Sequence, residues 1–146
     1  ENEEFEYLME KYGEFADTQA WCMSFVQMVY IMRMGRKYED ILDKLITPST
    51  QQTYENFEND ESGLFRVDNK ARKGAIVIWQ KYVNGSPTYQ GHTGIVKSVG
   101  ITGYTTIEGN TSGDGGREGI EVAVKERTYN WNTDNGLRLR GFISIR

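Results

Sequence analysis

The sequence predicts an α+β domain in which helices come first and an antiparallel sheet follows. Three observations carry that expectation. Apolar side chains recur with helical spacing up to about residue 46. From Lys73 onward the chain breaks into short β-branched and aromatic runs separated by Gly, Asn, Asp and Ser turns. Glycine is plentiful at 16 residues and proline scarce at two, which suits a turn-rich fold containing strands. The 146 residues fit one domain, 1–146, with a helical part over about 1–62 and a sheet part over about 73–146.

Each element has its own justification. Over residues 4–12, Phe5, Leu8, Met9 and Tyr12 share one helical face, and Gly13 follows as a stop. A second helix is predicted from about Ala20 to Met34, with Cys22, Phe25, Val26, Val29 and Tyr30 on its stripe. Asp17 and Thr18 are N-cap candidates upstream, and Gly35 is the cap at the far end. A third runs from about Tyr38 to Ile46 and stops at "TPS", where Pro48 restricts the residue before it. Residues 49–62 are polar and ambiguous between a short helix and a loop. Strands are expected at 75–80, 92–99, 104–108, 120–129 and 137–145. No repeat, low-complexity tract or linker composition interrupts them.

Charge and composition exclude some functions. The net charge of −4 divides into about −9 over residues 1–62 and about +5 over the remainder, which reads first as two solvated surfaces and second as a basic groove facing an anionic polymer. An acidic total without any nucleic-acid motif argues against nucleic acid as a partner. No apolar run reaches the roughly 20 residues that cross a bilayer, so membrane insertion is not expected. The opening "ENEEFEYLMEKYGEF" has no signal-peptide character, and a first residue other than Met points to a processed or excised chain. A single cysteine excludes an internal disulfide.

That cysteine, Cys22, stands at the front of the second helix in "QAWCMSFVQMVY", and the only histidine, His92, opens a strand in "QGHTGIVKSV". A thiol and an imidazole therefore make only one pair in this chain. The first turn of a helix favours an anion, which predicts a lowered thiol pKa, and an imidazole in reach takes the proton and later returns it to a leaving amine. Taken alone, each residue also has a plain structural reading, Cys22 as a small core hydrophobe and His92 as a strand residue. Sixteen residues beyond His92, "IEGNTSGDGG" offers Glu108 and Asn110 two apart on one face of a strand. A catalytic imidazole needs an acceptor on its far nitrogen, and either a carboxylate or an amide serves. If 92–99 and 103–110 form a hairpin, His92 lies opposite Asn110 with Glu108 on the diagonal, provided that the turn is odd or the strands carry a bulge. Trp21, Trp79 and Trp131 are candidates for stacking on sugar rings, Trp21 first because it adjoins the thiol.

In that order, "WCMSFV", "KGAIVIW", "GHTGIV" and "IEGNTSGDG" resemble the cysteine, histidine-dependent amidohydrolase/peptidase (CHAP) domain, over about residues 17–146. The resemblance implies a papain-like fold, with the nucleophile at a helix N-terminus packed on the sheet, and hydrolysis of peptidoglycan amides. The bond is either that between N-acetylmuramic acid and L-alanine or one within the peptide. It carries the catalytic roles onto Cys22, His92, Glu108 and Asn110. The Cys22 backbone N–H and the Gln19 side chain are then the oxyanion donors, and Trp21 a substrate contact. Action at the bacterial cell wall is implied, by a monomer that is secreted, periplasmic or phage-delivered and needs no cofactor. Two departures stand out. Ala75 occupies the place where the family often has Asp, and no run of acidic residues precedes Cys22, so calcium is not expected; "NDESG" (59–63) is a poor oxygen-ligand loop.

Overall fold

The computed structural model describes Tyr7, residues 20–111 and residues 120–146. The helix expected at 4–12, its stop at Gly13 and the caps Asp17 and Thr18 lie outside the described residues, apart from Tyr7, which donates a hydrogen bond to Glu39 Oε2 at 3.1 Å. Helix α1 (Ala20–Met34) has the expected bounds. Its burial is wider than one stripe, since Trp21, Cys22, Met23, Ser24, Val26, Gln27, Met28, Tyr30 and Ile31 are all buried. The sheet covers one side of α1 and the next helix approaches another, so an amphipathic face becomes a core element.

A 3-10 turn (Arg36–Tyr38) leads into α2 (Glu39–Leu45). The ambiguous segment then resolves into helix α3 (Thr50–Glu58), whose first turn is capped by Ser49 accepting from the Gln52 N–H at 3.1 Å. Its buried face, Thr50, Gln51, Thr53, Tyr54 and Phe57, is half polar, which is why hydrophobic spacing alone left it undecided.

Six strands follow: β1 (Phe65–Asp68), β2 (Ile76–Val83), β3 (Ser86–Val99), β4 (Gly103–Thr111), β5 (Ile120–Thr128) and β6 (Gly136–Ile145). They form one antiparallel sheet in the order β1-β6-β2-β3-β4-β5. Strand β1 corrects the expected start of the sheet at Lys73. Four residues are too few to display a period, and its pairing with β6, Phe65 against Ile145, joins segments far apart in sequence. Strand β3 also begins earlier than expected, because its pairing with β2 continues to Val83 and Ser86 around an Asn84–Gly85 turn.

The sheet buries both faces at its centre. Ile76, Ile78, Ile95 and Ile143 pack with Val26, Tyr30 and Ile31 of α1. Val77, Trp79, Val96, Tyr104, Leu139 and Phe142 form a second cluster, covered by Tyr129, Trp131 and Leu137 from the β5–β6 connection and the start of β6. Two buried faces explain why "AIVIW" is continuously apolar rather than alternating.

Candidate active site

Cys22 is the third residue of α1 and only 6% exposed. Burial pushes its thiol up to about 11, and the backbone N–H groups of Thr93, Met23 and Cys22 itself, which favour the thiolate, do not offset it; the charge of Glu108 adds to the rise. The expectation of a lowered thiol pKa is thereby overturned. The helix start does supply N–H groups, but removing the sulfur from water outweighs them. Among those donors Thr93 is the strongest, and it is the residue that follows His92.

Glu108 reaches His92 through a particular defect in the sheet. The β3–β4 hairpin turns tightly, with the Gly100 N–H on the Gly103 carbonyl at 2.8 Å, and pairs Val99 with Tyr104 and Ser98 with Thr105. That register alone puts His92 on the wrong face. A bulge between Val96 and Ser98 shifts it by one, so that Val96 pairs with Thr106 and Ile95 with Ile107. Continued, the shifted register aligns Gly94 with Glu108 and His92 with Asn110. His92 Nε2 lies 2.8 Å from Glu108 Oε1.

Two glycines make room for this arrangement. A Cβ on Gly94 would stand 2.7 Å from Glu108 Cγ, inside the space the carboxylate occupies. One on Gly109 would stand 2.8 Å from Phe25 Cβ and 2.9 Å from Trp21 Nε1, so the bare backbone of "EGN" lets β4 press against the helix that carries Cys22.

Glu108 is fully buried, and from the described residues its two oxygens accept four hydrogen bonds. Oε1 takes His92 Nε2 at 2.8 Å and Arg127 Nη2 at 2.7 Å; Oε2 takes Arg127 Nε at 2.9 Å and Thr106 Oγ1 at 2.6 Å. Burial raises its pKa, but the bonds from His92, Arg127 and Thr106 win and hold it at about 2. Trp79 stacks on the His92 ring, centroids 5.6 Å apart at 18°, and the Arg127 guanidinium carbon lies 4.6 Å from the Trp79 ring centroid. Arg127, Thr106 and Trp79 in its stacking role went unrecognised in the sequence. The β4–β5 register, Tyr104 against Arg127, is the only signal that reveals Arg127, and it requires the pairing of β5 with β4 to be known first.

The other candidates divide. Gln19 lies outside the described residues; Asn110 sits in β4 opposite Glu121, but its side chain lies outside what is described. Trp21 is 3% exposed, tilted against Phe25 at 6.5 Å, and presents no sugar-stacking face to solvent because Gly109 and α1 enclose it. Trp131 packs edge-on against Phe142. Among the described residues no three His, Cys, Asp or Glu side chains gather to hold a metal ion, and no helix is long and apolar enough to cross a membrane. The structure thus joins His92 to Glu108 and sets the thiol beside the residue after His92. Set against known families, the CHAP domain model matches residues 14–110. No curated protein and no solved structure gives a significant match.

Proposed function

The chain belongs to the CHAP domain family, and on that premise we propose that it is a cysteine-dependent hydrolase of peptidoglycan amides. The scissile bond is the one between N-acetylmuramic acid and L-alanine, or one within the peptide. The observation that supports this reading is the 2.8 Å contact of a buried, ionised Glu108 with Nε2 of His92, one residue before Thr93, whose backbone N–H favours the thiolate of the chain's single cysteine. The architecture is read as papain-like, one domain working as a monomer at the cell wall, whether secreted, periplasmic or phage-delivered.

An ionised Glu108 accepts and cannot donate, so Nε2 carries the proton and Nδ1 the lone pair. Because the resting thiol is protonated, Cys22 gives its proton to Nδ1 as the sulfur–carbon bond forms, and the carbonyl electrons move to oxygen. The Cys22 backbone N–H, with Gln19 as second donor, stabilises that oxyanion. As the tetrahedral species collapses, the carbon–nitrogen bond breaks and His92 protonates the leaving amine. Water then attacks the thioester while His92 takes its proton, the carbon–sulfur bond breaks to release the acid, and His92 returns the proton to the sulfur, restoring the Cys22 thiol. Asn110 either supports the ring or contacts substrate.

A competing reading, a catalytically silent module that binds cell-wall glycopeptide, draws on the 6% exposure of Cys22 and its raised pKa. Digestion of purified peptidoglycan separates the two. New N-terminal L-alanine together with free lactyl carboxyl marks an amidase, and new amines within the peptide mark an endopeptidase. Cys22→Ala should abolish release while binding and fold persist, with partial losses for Glu108→Ala and Asn110→Ala. Undiminished release by Cys22→Ala refutes the mechanism, and no release by the wild-type chain favours the silent module.

A further inference from the structure

Around His92 the described structure gathers more than a single carboxylate acceptor: it also gathers the groups that hold that acceptor in place. The carboxylate of Glu108 is shared between two strands, taking His92 from β3 and Arg127 from β5, and Arg127 fills one acceptor site on each oxygen. Thr106 from β4 takes another. A carboxylate offers about four acceptor directions, and all are used, so its plane is fixed rather than free to turn about χ3. Arg127 is itself held by the face of Trp79, and Trp79 stacks on the His92 ring. Guanidinium, indole, imidazole and carboxylate thus close a ring of contacts.

We propose that Arg127 is a positioning residue of the hydrolytic site: by gripping both Glu108 oxygens it aims the carboxylate at His92 Nε2 and so keeps Nδ1 as the basic nitrogen to which the mechanism above assigns the Cys22 proton. The inference rests on the hydrolase reading above. A guanidinium suits the task because its parallel N–H groups match a carboxylate in two places, which an ammonium does not. Among the described residues, Tyr104 on β4 and Cys22 on α1 are the other titratable groups that the Glu108 charge reaches. Neither of these two is a cation.

The test compares wild type, Arg127→Gln, Glu108→Gln and the double variant on purified peptidoglycan, with ¹⁵N spectra of His92 recorded alongside. Arg127→Gln should lower kcat towards the roughly 100-fold that a 1 Å misplacement costs, leave KM within about twofold, and disperse the Nε2–H tautomer signal. In the Glu108→Gln background the same change should have little further effect on kcat, because Arg127 acts through that carboxylate. Wild-type kcat and an intact tautomer signal in folded Arg127→Gln overturn the proposal; so does a loss that adds in full to that of Glu108→Gln, the mark of a merely structural role. Should Arg127→Gln not fold, Arg127→Lys carries the same readouts: a partial fall in kcat supports the grip and an unchanged kcat overturns it. If the wild-type chain releases nothing, the hydrolase reading fails on its own, while the tautomer signal still decides whether Arg127 orients the ring.

Discussion

Acid should dismantle this fold at its candidate site. Glu108 is held at about 2, against 4.5 for an ordinary glutamate, because His92, Arg127 and Thr106 outweigh the effect of burial. The folded chain therefore binds this proton more weakly than the unfolded one, so the stabilisation is complete above about pH 4.5 and is lost as the pH falls towards 2. A displacement of that size corresponds to about 3 kcal/mol, of which about 2 kcal/mol disappears between about pH 5 and pH 3. Set against a total of about 5–15 kcal/mol, that is a large share for one side chain. Asp68, lowered chiefly by its hydrogen bond from Arg72, adds to the same acid slope. Urea unfolding followed by tryptophan fluorescence across that range, for wild type and Glu108→Gln, isolates the term. The variant starts less stable, since Arg127 keeps no carboxylate, but its stability should fall less steeply, by about 2 kcal/mol over the window. Parallel slopes refute the reasoning.

At the alkaline end the sign reverses for Cys22. With the thiol raised to about 11, the folded state holds the proton more tightly, so this contribution is whole below about pH 9 and fades as the pH rises through 11; Cys22→Ser should show a shallower alkaline loss in the same unfolding assay. Iodoacetamide alkylation of Cys22 should accelerate with pH through the neutral range and beyond, and a plateau reached below neutrality contradicts a thiol that rests protonated. Gly94→Ala drives a methyl into Glu108 Cγ, so peptidoglycan release should drop at least about tenfold for an overpacking cost of about 1–3 kcal/mol. Full activity in that variant removes Glu108 from the mechanism.

Much of the helical half was legible because helix signals are local. The bounds of α1 follow from apolar spacing and a closing glycine, both within the segment itself. What escaped depends on distant partners. β1 exists because β6 returns to it, and Arg127 matters because β5 returns beside β4. The early start of β3 is different, since "VNGSP" carries a local hairpin signal in its Asn-Gly pair. For the site, parity arguments show that His92 and Glu108 share a face only with an odd turn or a bulge, and the bulge at Val96–Ser98 is what joins them. The pKa of Cys22 was not legible, because a helix start is visible in sequence whereas the degree of burial around one sulfur is a property of the packed whole.

These features make removals at the site unequal as tests. Taking away Glu108 leaves the partly buried Arg127 guanidinium without that carboxylate, and taking away Arg127 leaves the buried Glu108 with His92 and Thr106 but no guanidinium; breaking a buried ion pair typically destabilises by about 3–5 kcal/mol. Loss of activity in either variant then mixes chemistry with folding. Cys22→Ala differs: it deletes one small, neutral side chain from α1, for which about 1 kcal/mol is the expected scale. The thiol that burial makes reluctant to ionise is thus also the group whose loss perturbs the fold least, and a folded but inactive Cys22→Ala is the sharpest separation of mechanism from architecture that this chain permits.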